Sequence, residues 1–243
     1  MSADAVAPVA SAHAPPAGNL AAPAFLRLLQ LASPTLPIGA FAYSQGLEPA
    51  VVAGRVGDEA SAAAWILGLL RGPVTTIDLA VFSRIHDATA TGDTATVRRW
   101  NAFLFASRAT AELQAEDRHL GAALGRVLHT LGLAALTPVS AADAPPTFVM
   151  MFARACALWG IDGEAALSAF AFSWTEAQVS AAVRLVPLGQ SAGIRILAAV
   201  AAEIPAAAER ARQLLDDEIG GAAPLQAILS SVHETQYSRL FRS

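Results

Sequence analysis

The stretch from Val97 to Leu131, VRRWNAFLFASRATAELQAEDRHLGAALGRVLHTL, decides the fold class. Trp100, Phe103, Leu104, Leu120, Leu124, Val127 and Leu128 fall at intervals that line one face of an α-helix. Asp93 or Thr94 stands just upstream, where a short side chain can accept from the first free backbone N–H groups. The spacing predicts one long helix over this stretch. On it, Ser107, Ala111 and Ala115 would form a ridge of small residues that lets another helix approach closely. Arg108, Glu112 and Glu116 occupy the neighbouring row. Arg ahead of Glu is the poorer orientation for an i,i+4 pair, so these charges are expected to serve contacts beyond their own helix.

Working outward, the same period recurs almost everywhere. Pro23 is placed to open a helix carrying Phe25, Leu26, Leu29 and Leu31, which the stretch Pro34 to Pro37 breaks. A second segment runs from Ala40 to Val52. A third opens near Asp58 or Ser61, and Pro73 restarts a helix with a stripe of Ile77, Val81, Phe82 and Ile85. Leu133 to Pro146 reads as a mobile connection. Further helices are expected at about 147–159, 163–185, 191–203 and 205–219, and Pro224 opens the last. Alternating strand patterns are nearly absent, and 57 alanines favour helix throughout. The expected fold is all-α, a single-domain multi-helix bundle.

Composition then removes whole classes of function. All 16 basic residues of the 243 are arginine, so no lysine is available for a P-loop, a kinase or a pyridoxal phosphate Schiff base. A lone cysteine, Cys156, builds neither an internal disulfide nor a cysteine-ligated metal site. A net charge of −4 argues against nucleic-acid binding. The uncharged runs Ala5 to Leu26 and Leu28 to Leu47 are interrupted by proline, glycine and polar residues, so neither reads as a membrane span. Residues 1–22 form an Ala/Pro-rich segment with no signal-peptide pattern, expected to be disordered, ahead of a domain over 23–243. The protein is expected to be cytoplasmic. Only 15% of residues are charged, so part of its apolar surface should be covered by other chains.

Three motifs invite chemistry. Gly189-Gln-Ser191-Ala-Gly193 is a literal G-x-S-x-G, followed by Asp216 or Asp217 and then His233, the chain order of an α/β-hydrolase triad. A serine hydrolase acting through Ser191 is therefore the alternative reading; against it, a nucleophile elbow needs a parallel sheet that nothing else here supplies. His233-Glu234 begins like H-E-x-x-H, but Tyr237 stands at the second histidine, and His86, His119 and His129 are isolated, so no metal site is expected. The segment 233–243 ends Tyr237-Ser-Arg239-Leu240-Phe241-Arg242-Ser243. Aromatic and aliphatic residues flanked by arginines have the composition of an interface anchor or of a tail docked on its own domain.

Taken together, four blocks resemble the urease accessory protein family UreF: Leu28 to Glu48 (LLQLASPTLPIGAFAYSQGLE), Asn101 through Arg108, Glu112 and Gly121 to Leu124, Ala182 to Gly193 (AVRLVPLGQSAG), and His233 to Ser243 (HETQYSRLFRS). They lie in the family's order and span nearly everything after residue 22. The resemblance implies an all-helical protein without catalysis or cofactor of its own, a homodimer that binds UreD (UreH in some organisms). That complex recruits the GTPase UreG for nickel insertion into apo-urease. It also implies that Tyr237, Arg239, Leu240 and Phe241 in the tail engage UreD. Pro37, Gly39, Phe41, Tyr43 and Glu48, with Arg108 and Glu112, are candidates for the dimer or the UreG-facing surface. The G-x-S-x-G motif falls inside the family's P-L-G-Q block.

Overall fold

The computed structural model describes residues 22–133 and 144–243, whose regular elements are all helices, with no strand among the described residues. Apart from Ala22, the segment expected to be disordered lies outside them, as does most of the connection 133–146. Pro23 sits in the first turn of α1 (Ala22–Ala32), where its missing N–H is no loss. The expected second segment is instead a single 3₁₀ turn, Ala40–Ala42, and a short α2 (Leu47–Val52). Gln45 and Gly46 separate them because both take left-handed backbone, with φ of 53° and 85°.

Asp58 caps α3 (Glu59–Leu69) in a reciprocal box with Ser61. The helical path bends at Gly72, before Pro73, in a wide-turned segment, Leu70–Leu79, that feeds α4 (Ala80–Ala90). The long stretch quoted above is two helices, not one: α5 (Thr94–Ala106), capped by Asp93, and α6 (Ala111–Thr130), capped by Thr110. Thr110 is extended, at φ −135° and ψ 159°, and its hydroxyl accepts from the Leu113 N–H. Ser107 therefore lies off the α6 helix, and the small-residue ridge does not form.

The remaining helices are α7 (Phe148–Leu158), α8 (Gly163–Leu185), α9 (Gln190–Ala201), α10 (Ile204–Gln213) and α11 (Pro224–His233). Helix α4 is central: Ala80, Val81, Phe82 and Ile85 are fully buried, and the helix packs against α5 and α7. The Phe82 and Phe152 rings lie 5.3 and 5.4 Å from that of Phe170, in tilted and edge-on contacts. The runs Glu59–Ala90 and Gln190–Gln213 are long and apolar enough to cross a membrane, but most of the first run's apolar window is buried in this core.

Two glycines permit close approaches. A Cβ at Gly193 would meet Val183 Cγ2 at 2.8 Å, so this last glycine of the G-x-S-x-G motif lets α9 lie tightly on α8. A Cβ at Gly121 would stand 2.0 Å from the Pro146 carbonyl oxygen. That segment is fixed by Asn101, whose Oδ1 accepts from Thr147 N–H at 3.0 Å and whose Nδ2 donates to Pro145 O at 3.0 Å. Gly121→Ala must push backbone aside and should destabilise the fold by about 1–3 kcal/mol. Gly125→Ala, which meets only the flexible Met151 Cε at 3.3 Å, should be close to neutral. Urea midpoints of the two variants decide the matter; equal losses would disprove the close approach.

Candidate interaction site

The end of the described chain is clasped by the turn that leads into α2. Ser44 and Gln45 come first. Gln45 is held in its strained left-handed backbone by three contacts: its Oε1 accepts from Trp174 Nε1 at 2.8 Å, its Nε2 donates to Glu116 at 2.7 Å, and its carbonyl accepts from Gln226 at 3.1 Å. Glu48 follows in the first turn of α2. Its buried carboxylate accepts the backbone N–H groups of Leu240 and Phe241, each at 2.8 Å. Gln236 Nε2 adds a longer bond at 3.3 Å.

His233, fully buried at the end of α11, lies between two acids. Its Nε2 is 3.3 Å from Glu48 and its Nδ1 2.8 Å from Glu112, so each contact asks for an N–H on the ring. Arg239 closes on the other Glu112 oxygen at 2.9 Å. Ser243 donates its hydroxyl to Glu116 at 2.8 Å, and its carbonyl accepts from Ser44 N–H at 2.8 Å and from the Ser44 hydroxyl at 2.5 Å. The Phe241 ring is 4% exposed, with the Arg184 guanidinium 4.7 Å above it. Since Glu48 and His233 use their lone pairs and hydrogens on one another and on backbone N–H groups, this is a mechanical clasp. No three His, Cys, Asp or Glu side chains are grouped to hold a metal among the described residues.

Next to it lies a second buried ionic group. Arg108, at the break between α5 and α6, grips Asp78 through Nη2 at 2.5 Å and Asp117 through Nε at 2.5 Å. The other Asp117 oxygen accepts the Phe148 N–H that opens α7, at 3.2 Å. Burial pushes the Asp78 carboxyl above its ordinary range, even against Arg108. Arg108 lies in the break and on no helix, so the i,i+4 comparison with Glu112 does not arise; Glu112, on α6, reaches His233 and Arg239.

The residues singled out in the sequence fall into two sets. Tyr237 is fully exposed, Leu240 is 56% exposed, and Pro37 and Phe41 also face solvent. Gly39 makes the bend between them with φ 80°. Tyr43, Glu48 and Phe241 instead face the interior of their own chain, and Arg108 and Glu112 hold intrachain ion pairs, so in this state they support the surface from behind. Gln45, Asp78 and Asp117 escaped sequence reasoning, and the last two carry no signal beyond being acids, whereas Glu116 was singled out there and does make a contact beyond its own helix, to Gln45 and Ser243. His233, set aside there as half of a failed zinc motif, proves to be the hinge pin of the clasp.

The hydrolase reading fails on geometry. Ser191 is exposed in the first turn of α9, His233 is committed to Glu48 and Glu112, and Asp216 pairs with Arg84 and Arg99. With no strand among the described residues, there is no elbow to present a nucleophile. Cys156 is a buried small hydrophobe whose thiol is pushed up by burial.

Burial raises the Glu116 carboxyl from 4.5 to about 7, even though Gln45 and Ser243 donate to it. A carboxyl raised by folding favours the fold while protonated; that contribution is full below pH 4.5 and lost as pH rises through about 7. Stability should therefore fall over this window relative to Glu116→Gln, by on the order of 1–3 kcal/mol between pH 5 and pH 8. A constant difference in urea midpoint would contradict it. Separately, Glu48→Ala leaves the buried Phe241 N–H and the part-buried Leu240 N–H without their acceptor, at about 1–3 kcal/mol for the buried one. Hydrogen exchange should show the Leu240 and Phe241 amides losing protection while those of α4 and α7 keep theirs.

Comparison with known proteins identifies the family. The family model for UreF matches residues 56–201. The urease accessory protein UreF of Alkalilimnicola ehrlichii is 46% identical over 217 residues, covering 89% of this chain and 95% of that one. UreF 2 of Brucella anthropi is 47% identical over 218 residues, covering 90% and 96%. The bifunctional urease accessory protein UreEF of Bordetella bronchiseptica is 44% identical over 232 residues, 93% of this chain but 52% of that longer protein. With a family model matching more than half of its length and relatives aligned over nearly all of it, this chain belongs to the UreF family.

Proposed function

We propose that this protein is a non-catalytic assembly factor of urease maturation. It acts in the cytoplasm as a homodimer that bridges UreD (UreH) to the GTPase UreG, so that nickel is delivered to apo-urease. Family membership supports the maturation role, and the relative that carries UreE and UreF names in one chain supports a place within a multi-protein machine. Nickel is cargo in this scheme and GTP hydrolysis belongs to the partner, in keeping with a sequence that has no lysine.

The observation that carries the bridging role is an apolar stripe joined to the clasp. On α11, Leu225, Ile228 and Val232 are exposed at i, i+3 and i+7, one face of a helix whose other face is packed on α2 and α6. Tyr237 and Leu240 in the tail add to this exposed apolar surface, and Arg239, held by Glu112, gives it a charged edge. We assign this face to UreD. Buried Phe241 and Glu48 keep the tail in position to present it. Pro37, Gly39 and Phe41, backed by Tyr43 and Arg108, form the face assigned to the dimer or to UreG.

The test is co-purification with UreD and reconstitution of apo-urease with UreD, UreG, GTP, nickel and bicarbonate. Ile228→Glu with Tyr237→Ala and Leu240→Ser should abolish UreD capture and urease activation while leaving helical content unchanged. Full capture by that triple variant would remove the assignment of this face. Urease activation at an equal rate without the protein would remove the maturation role itself.

A further inference from the structure

Each buried carboxylate around the clasp has a guanidinium or an imidazole beside it, with one exception. Asp78 and Asp117 share Arg108, Glu112 has Arg239 and His233, and Glu48 has His233 together with two backbone N–H groups. Glu116, on α6 and buried, has neither. Among the described residues its hydrogen bonds come from two neutral donors, Gln45 Nε2 at 2.7 Å and the Ser243 hydroxyl at 2.8 Å. A buried carboxylate without a cation is costly, whereas the neutral acid is not.

The groups that face Glu116 do not supply the missing charge. Burial holds its carboxyl up, to about 7, and neighbouring Asp117 adds more to this than Arg108 takes away. From the turn before α2 comes Tyr43, with Arg242 of the tail at its hydroxyl, and the cavity that Glu116 lines also carries Asp78 and, from α8, Glu176. The protonated acid fits the same contacts, because it still accepts from Gln45 while the Ser243 hydroxyl turns from donor to acceptor.

The position of Glu116 ties this proton to the tail. Ser243 is fully buried over it, and the Ser243 carbonyl accepts from the Ser44 N–H at 2.8 Å. The Arg242 N–H donates to the Ala42 carbonyl at 2.8 Å. Lifting the tail uncovers Glu116 to water, which solvates the ionised form, and the tail can lift without the core because one apolar anchor, Phe241, holds it.

We propose that docking of the tail is proton-coupled: Glu116 takes up one proton from solvent as Ser243 settles over it, and the tail is released as pH rises through neutrality. The coupling is a property of this chain alone; its bearing on UreD rests on the assignment of the tail face above.

It is tested on the full chain, without partners, by hydrogen exchange of the Ser44 and Arg242 amides, whose acceptors are carbonyls that do not titrate. Their protection factors should fall by about tenfold or more between pH 5 and pH 8, the sign expected when the docked state binds the extra proton. Amides of α4 and α7 should keep theirs, and Glu116→Gln should hold the protection of Ser44 and Arg242 constant within about twofold. The carboxyl carbon resonance of Glu116 in the unsubstituted chain should titrate near neutrality, which decides the matter even if Glu116→Gln does not fold. No fall with pH, a fall shared equally by α4 and α7, a fall that persists in Glu116→Gln, or titration of Glu116 in the ordinary glutamate range would each overturn the proposal. None of these outcomes bears on whether the tail face meets UreD, which the co-purification experiment decides separately.

Discussion

A guanidinium held between two buried carboxylates governs the arrangement of this bundle. Arg108 bonds Asp78 on the segment that feeds α4 and Asp117 on α6, and Asp117 in turn holds the first free N–H of α7. Three helices are thereby tied at one point where none of the charges can reach bulk water easily. Removing one partner from such a group leaves an uncompensated buried charge, which is far more damaging than the pair itself is stabilising. The start of α7 is seated on α6 at this same point.

The clasp around the tail is built on the same principle with weaker parts. Glu48 replaces a missing helical or sheet partner for two backbone N–H groups of the tail, and His233 and Arg239 link Glu48 and Glu112 into one network. The tail is therefore held by polar geometry with a single apolar anchor, Phe241, under Arg184. Such a segment can be ordered yet remain separable from the core, because few apolar contacts are lost when it moves. That balance suits a segment read as an interaction surface, with Tyr237 and Leu240 turned outward while their neighbours hold on.

Much of the helical pattern was legible in the sequence, and so was the family. Prolines at 23, 73 and 224, the Asp58 and Asp93 caps, and the apolar period placed most helices near their observed bounds. Two misreadings have one cause. The stretch 97–131 keeps its helical period through a four-residue break, because Ser107 to Thr110 carries no glycine or proline to announce it. The segment 40–52 likewise hides a left-handed glutamine, Gln45, a conformation rarely adopted by a residue with a side chain. Both breaks are imposed by long-range partners, Asp78 for Arg108 and Trp174 and Glu116 for Gln45.

What the sequence determined by itself was the helical class, the core stripes, the exclusion of lysine-dependent chemistry and the family resemblance, since each rests on local spacing or on residue type alone. Only the tertiary structure decided which polar residues are buried together. Glu48, Glu112, Glu116, His233 and Ser243 lie up to 195 positions apart, between 48 and 243, and no local rule relates them. Their pairing follows from the packing of α2, α6 and α11, which removes water and makes each group find a partner among those brought beside it.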